Sequence, residues 1–196
     1  MDARTLDAYE RDAVDYADDW HTQPTDSELR AAVSRHFRIG PTADIGCGAG
    51  RDTAWLTEAG YPAVGYDASP ALLAEARRRH PGVAFEQAAL PALAGVADES
   101  FQNVLCETVI MHLPPEELTP SLQRIAAILA PGGTLYLTWR VSPGSGLRDQ
   151  HGRLYAGVDP QTVRDALGPH TALVDQEVTS ESSGRTIHRL VVRIAG

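Results

Sequence analysis

The chain has 196 residues, 43% of them hydrophobic and 22% charged, which suits one domain with a single sizeable core. Its formal net charge of −9 argues against non-specific binding to nucleic acid or docking on anionic lipid. All 17 basic residues are arginine, which excludes chemistry that needs a lysine amine, such as a Schiff base or a P-loop phosphate contact.

The first 24 residues are acidic and carry Tyr9, Tyr16 and Trp20. Thr25 and Glu28 then have the spacing of a capping box. Leu29, Val33 and Phe37 recur at helical spacing and predict a helix over Asp26 to Phe37. Residues 1–38 are read as an N-terminal segment with its helix, and 39–196 as the main domain. From Thr42 the pattern alternates. Thr42 to Gly46 reads as a strand, and Arg51 to Ala59 as a helix closed by Gly60. Ala63 to Asp67 reads as a strand, followed by a helix capped by Ser69 with Pro70 at its first position. Val83 to Glu86 and Asn103 to Cys106 read as strands. Leu118, Leu122, Ile125 and Leu129 mark a helix after Pro114-Pro115, with Pro120 expected to break its first turn from the rest. Thr134 to Val141 is a strand, Asp159-Pro160 opens a helix ended by Gly168-Pro169, and Thr171 to Thr179 and Thr186 to Ile194 finish the chain as strands.

Alternating strands and helices imply βαβ crossovers and a mostly parallel sheet covered on both faces. The last two strands are separated by a span suited to a hairpin, so one of them should run antiparallel. Cys47 and Cys106 form no close pair and read as reduced thiols of a cytoplasmic protein, with no thiolate metal site. The N-terminus lacks the apolar core of a secretion signal, and no apolar run reaches membrane-spanning length.

The run ADIGCGAGRD, Ala43 to Asp52, places Gly46, Gly48 and Gly50 at the first strand-to-helix turn, where a chain spends glycines to let backbone approach a ligand. A dinucleotide fingerprint needs its third glycine at position 51, which is Arg51. Asp67, at the end of the second strand, is placed to accept hydrogen bonds from two ribose hydroxyls. A close-approach loop and a ribose clamp without a pyrophosphate seat suit a nucleoside better than NAD.

Together with ADIGCGAGRD, the runs VGYDASPALLAEAR, SFQNVLCETVIMHL and LAPGGTLYLTW resemble, in order and spacing, the successive motifs of class I S-adenosylmethionine-dependent methyltransferases. The resemblance spans Ala43 to Arg140. It implies a single Rossmann-like α/β domain of seven strands, order 3-2-1-4-5-7-6, with strand 7 antiparallel and helices on both faces. By the same resemblance, residues 1–38 include a lid over the cofactor, with Tyr16 as its contact. Asp44, Gly46, Cys47, Gly48 and Gly50 would wrap the methionine end of S-adenosyl-L-methionine, and Asp67 would hold the ribose. Ala68 and Ser69 would flank the adenine on one side and Ala89 and Leu90 on the other, with Cys106, Glu107 and Thr108 near the sulfonium. The chain departs from the family pattern at Gln87 to Leu90, which lacks the acidic residue many relatives carry there, and at Gln102, where many have Asp.

Methyl transfer mainly requires alignment of nucleophile and methyl group, so the family shares a cofactor site but no common catalytic residue. Glu107 and His112 are the candidates for a catalytic role. Arg140, Arg153 and Tyr155, after strand 5, are the candidates for holding an anionic or planar acceptor, the alternative being an exposed hairpin flap. The expected activity is transfer to an O, N or S nucleophile of a small molecule by a monomer or homodimer, with no metal, nucleic-acid or membrane partner. Alternatives are methylation of a protein side chain and a non-catalytic, regulatory S-adenosylmethionine-binding protein. Absence of an Asn/Asp-Pro-Pro-Tyr/Phe motif after strand 4, where the chain reads Cys106-Glu107-Thr108-Val109, speaks against nucleic-acid methylation.

Overall fold

A computed structural model describes residues 1–24, 27–142 and 146–195; Thr25 and Asp26, the expected start of the capping box and its helix, lie outside the described residues. The N-terminal segment forms α1 (Ala3–Arg11) and α2 (Ala13–Thr22), followed by α3 (Ser27–His36). Then come β1 (Thr42–Ile45), α4 (Arg51–Glu58), β2 (Ala63–Asp67), α5 (Pro70–Arg79), β3 (Ala84–Gln87) and β4 (Phe101–Glu107). A 3-10 turn at Ile110–His112 leads into α6 (Pro115–Ile128) and β5 (Leu129–Arg140). A two-stranded hairpin, β6 (Leu147–Arg148) and β7 (Leu154–Tyr155), precedes α7 (Pro160–Ala166), β8 (His170–Thr179) and β9 (Thr186–Ile194).

The large sheet has seven strands in the order β3-β2-β1-β4-β5-β9-β8, and β6 pairs only with β7. Counted within the large sheet alone, this is the expected 3-2-1-4-5-7-6. β9 runs antiparallel to both β5 and β8, and the other pairs are parallel. Strand order reverses between β1 and β4, so the crevice at their carboxyl ends is where this topology collects a ligand.

Period-two alternation sets the two faces of the core. Val104 and Cys106 of β4, Leu135 and Leu137 of β5 and Leu190 and Val192 of β9 pack on one face with Leu122 and Ile125 of α6. Leu105, Tyr136 and Val191, one residue out of phase, pack on the other with Leu29 and Val33 of α3 and Leu56 of α4. The caps match the sequence: Ser69 accepts from the Leu72 amide at 3.1 Å, and Asp159 from the Thr162 amide at 2.8 Å.

Two elements differ from expectation. Pro120 does not break α6. The bond it forfeits is to the carbonyl of Glu116, which lies in the exposed first turn where water substitutes. β5 begins at Leu129, because Leu129 pairs with Phe101 before an irregular stretch restores the register at Asn103 and Thr134. Gly132-Gly133 therefore lies within a strand rather than ahead of one. Among the described residues, no helix is long and apolar enough to cross a membrane.

Candidate active site

A cavity of about 760 Å³ opens at the carboxyl edge of β1, β4 and β5. Its floor is the glycine loop. Gly46 and Gly48 have φ of +76° and +53°, and a Cβ on them would lie 2.3 Å from Val109 Cγ2 and 2.7 Å from Trp20 Cζ3. Both the left-handed conformation and the close neighbours exclude a side chain there. Gly50 is the N-cap of α4. At the far side of the floor, Thr108 is a non-glycine residue at φ +54°, held by its amide donating to the Thr138 carbonyl and hydroxyl, both at 3.1 Å. Backbone held in a sparsely populated region beside a cavity is a mark of a functional wall.

Asp44, at the heart of β1, lines the cavity with 4% exposure and accepts from the Thr53 hydroxyl at 2.6 Å. Burial, reinforced by the charge of Asp52, raises its pKa from 3.8 to about 7. Asp67 lies behind the glycine loop. One carboxylate oxygen accepts from the Gly48 amide at 2.9 Å and the other from the Ser69 amide at 2.8 Å. It thereby braces the β1–α4 turn against the β2–α5 turn; burial raises its pKa although these bonds oppose the shift. Each oxygen keeps further acceptor capacity.

Helices α1 and α2 roof the crevice. Trp20 rests on Gly48, Glu10 accepts from the Ser69 hydroxyl and from the Ala71 amide, and the Met1 ammonium donates to the Leu90 carbonyl. Tyr16, in the cavity wall, stacks on Trp20 at 5.7 Å between centroids. The roof is joined to the hairpin. Arg148 donates twice to Asp2, each bond 2.8 Å, and the Leu154 amide donates to the Thr5 hydroxyl at 2.9 Å.

His112 is 4% exposed. Its Nδ1 faces the Leu154 carbonyl, which fixes Nδ1 as the protonated nitrogen, so Nε2 accepts from the Tyr9 hydroxyl at 3.2 Å. Burial lowers its pKa to about 4, so the ring is neutral at pH 7. With both nitrogens engaged, His112 orients Tyr9. Arg153 is not an open fork. It is paired with Asp149 at 2.7 Å and lies among the rings of Tyr9, Tyr16 and Tyr155, at 5.6, 4.9 and 5.8 Å. Arg140 leans on the Tyr155 ring at 5.1 Å.

The cavity wall thus brings together Asp44, Gly46, Cys47, Gly48, Glu107, Thr108, Tyr16, His112, Arg140, Arg153 and Tyr155. Of the other residues singled out in the sequence, Gly50, Asp67, Ala68, Ser69, Ala89 and Leu90 lie beyond this wall, and Cys106 is fully buried in the core. Burial pushes both thiols up, Cys47 included, which leaves them as unreactive packing groups. Tyr9, Trp20, Met111, His151 and Arg185 also line the cavity. Tyr9 and Trp20 stood out as aromatics in an acidic segment. Arg185 had no signal, since it is the pairing of β5 with β9 that sets the start of β9 beside Arg140.

The strand order, the single antiparallel β9 and the glycine floor at the reversal point define a Rossmann-like class I methyltransferase fold. Residues 43–133, just under half of the chain, match the family model of the methyltransferase domain. It is 38% identical over 123 residues to trans-aconitate 2-methyltransferase of Methylobacterium nodulans, covering 61% of this chain and 45% of that one. It is 37% identical over 100 residues to ubiquinone biosynthesis O-methyltransferase of Methylococcus capsulatus, covering 48% and 41%. The chain thus spans less than half the length of these two relatives. Among solved structures, 1,6-didemethyltoxoflavin-N1-methyltransferase of Burkholderia thailandensis superposes with a TM-score of 0.78 over 99% of this chain and 88% of that one, at 24% identity.

Proposed function

We propose that the protein transfers a methyl group from S-adenosyl-L-methionine to an O, N or S nucleophile of a small molecule. One observation carries this reading: a single roofed cavity joins a glycine floor with buried carboxylates to a wall of arginine and tyrosine. Its volume of about 760 Å³ lies within the range of small-molecule sites, roughly 300–1,000 Å³. The cofactor's sulfonium supplies an electrophilic methyl carbon.

The residues present fit that cofactor. A floor on which no Cβ can stand admits a ligand against the backbone at Gly46 and Gly48, and Gly50 turns the chain into α4. Asp44 and Glu107 set negative charge beside the place for an ammonium and a sulfonium. Asp67 has acceptor capacity left for ribose hydroxyls. Ala68, Ser69, Ala89 and Leu90, beyond the cavity wall, are the residues that would flank the adenine. Cys106 and Thr108 support the wall behind the sulfonium, and Tyr16 closes the roof. Orientation of two bound partners is worth roughly 7–11 kcal/mol, which is the larger share of what such a site has to supply. His112 and Tyr9 serve that orientation. The relatives named for trans-aconitate and for a toxoflavin precursor act on small molecules, which supports an acceptor of that size here. A side chain on another protein would have to pass beneath α1 and α2.

Titration calorimetry with S-adenosylmethionine, its demethylated product S-adenosylhomocysteine and NAD tests the reading, followed by turnover of labelled cofactor against small acceptors. Micromolar-range binding of the first two and none of NAD is expected. Binding of NAD without the others would overturn it.

A further inference from the structure

The cavity is polarised. Asp44, Asp52 and Glu107 stand at its glycine-loop end together with Arg51, Asp12, Asp15 and Asp19 line it from the roof, and Arg140, Arg153 and Arg185 line the part around Tyr155. The arginines differ in how far they are already satisfied. Arg51 donates to Asp52 at 3.1 and 2.9 Å, Arg79 pairs with Asp18 and Glu75, and Arg153 is held by Asp149 and three tyrosine rings. Arg140 and Arg185 have no carboxylate partner among the described residues. They are brought together by the sheet, since Arg140 pairs in register with Ile187 of β9, two residues past Arg185. Both act on the Tyr155 hydroxyl: their charges, with that of Arg153, favour its ionised form against the burial that raises its pKa. Arg140 and Arg153 thus stand 5.1 and 5.8 Å from the Tyr155 ring and Arg185 lines the same cavity, with Asp149 as a nearby counter-charge, in a protein of net charge −9.

We infer that Arg140 and Arg185 form a receptor for a carboxylate of the methyl acceptor, so that the acceptor class is a small carboxylic acid anion. This rests on the proposed methyl transfer. The guanidinium fork matches a planar carboxylate with two parallel hydrogen bonds, and the Tyr155 face against which Arg140 leans limits the space beside it to a flat group. The positive end steers the anion to the side opposite Asp44 and Glu107, where the cofactor's positive charge is favoured. Arg140 and Arg185 thereby favour an anionic acceptor away from the glycine loop. Arg153 fixes the wall that holds Tyr155, and its charge is shared with Asp149.

The test is calorimetric. The wild-type complex with S-adenosylhomocysteine is titrated with trans-aconitate, succinate and benzoate, with the uncharged trimethyl ester of trans-aconitate, and with inorganic phosphate. Arg140→Gln, Arg185→Gln and the exposed control Arg35→Gln follow. At least one carboxylate is expected to bind, the ester not at all, and each cavity variant should weaken the anion at least about tenfold, the loss expected for one charge-assisted bond. S-Adenosylhomocysteine affinity should stay unchanged in all three variants, which also certifies their fold. If the complex binds no carboxylate, or the cavity variants bind it like Arg35→Gln, the receptor assignment falls while the methyltransferase reading stands. Arginine-dependent binding of phosphate in place of carboxylates also overturns it. If S-adenosylhomocysteine itself does not bind the wild type, the proposed function fails, and the receptor with it.

Discussion

Asp44 shows how one buried carboxyl can couple the site to pH. In the empty protein its pKa is about 7, raised from 3.8 by burial and by Asp52, with Asp67 adding to the shift and Arg51 and the Thr53 hydroxyl opposing it. Between those two values the folded chain holds a proton that the unfolded chain has released, so Asp44 makes the empty fold less stable as pH rises through that window. A cofactor ammonium beside it reverses the preference, because an opposite charge favours the ionised form. Binding should then expel the proton wherever Asp44 starts protonated. The affinity for S-adenosylhomocysteine should level off above pH 7 and fall about tenfold for each unit below it. Calorimetry in buffers of different ionisation enthalpy should show proton release at pH 6 and little at pH 8. In Asp44→Asn, whose amide oxygen can still accept from Thr53, affinity should be lower at pH 8 and the proton release at pH 6 gone. Equal proton release by wild type and Asp44→Asn would assign the titration to another group.

At the scale of elements, the roof formed by α1 and α2 packs on α5 through Ala8, Ala13 and Ala17, and is tied by polar bonds to the start of α5, to Leu90 and to the β6–β7 hairpin, and by a ring cluster. Asp2 receives two bonds from Arg148, and these hold its carboxyl well below the usual range. That contact is therefore present throughout the neutral range and is lost only in strong acid. The Arg148 side chain is 36% exposed and that of Asp2 13%, so the pair belongs with surface ion pairs worth about 0.2–1 kcal/mol. An opening motion that breaks it should be correspondingly easy. Arg148→Gln should accelerate release of S-adenosylhomocysteine by about two- to fivefold, followed by the fluorescence of Trp20, which rests on the glycine floor. Asp2 also caps α1 by accepting from the Thr5 amide and hydroxyl, a role the amide oxygen of Asn keeps, so Asp2→Asn in the Arg148→Gln background should add little more. Release at the wild-type rate in Arg148→Gln would show that the roof is held elsewhere, at Tyr9 and Arg153.

The whole molecule is an open sheet whose ligand site is shared by parts far apart in the chain, and this decides what was legible beforehand. β2 over Ala63–Asp67 and β9 over Thr186–Ile194 were readable residue for residue, because β-branched and apolar runs between turn residues are local signals. The glycine turn after β1 and the place of Asp67 at the end of β2 were readable because each is set by local signals. The roof's attachment was not, since it depends on pairs such as Asp2 with Arg148 and Tyr9 with His112, separated by more than a hundred residues. Arg153 appeared available because its partners Tyr9, Tyr16 and Asp149 converge only in three dimensions, and Arg185 reaches the site through the pairing of β5 with β9. A ligand in such a cavity touches the roof, the sheet and the turns at once, so its binding should stabilise them as a unit. At a concentration 100-fold above the dissociation constant, S-adenosylhomocysteine should add about 2.7 kcal/mol. For a domain of this size that corresponds to a rise in Tm of about 5–10 °C. Asp67 separates bracing from binding. In Asp67→Asn the amide oxygen can still accept one of the two turn amides, so the empty protein should melt cooperatively, a few degrees below wild type. Its loss of a carboxylate toward the ribose should cut the ligand-induced shift to less than about half at the same ligand concentration. A variant that melts lower but shows the full shift would confine Asp67 to bracing the Gly48 and Ser69 turns.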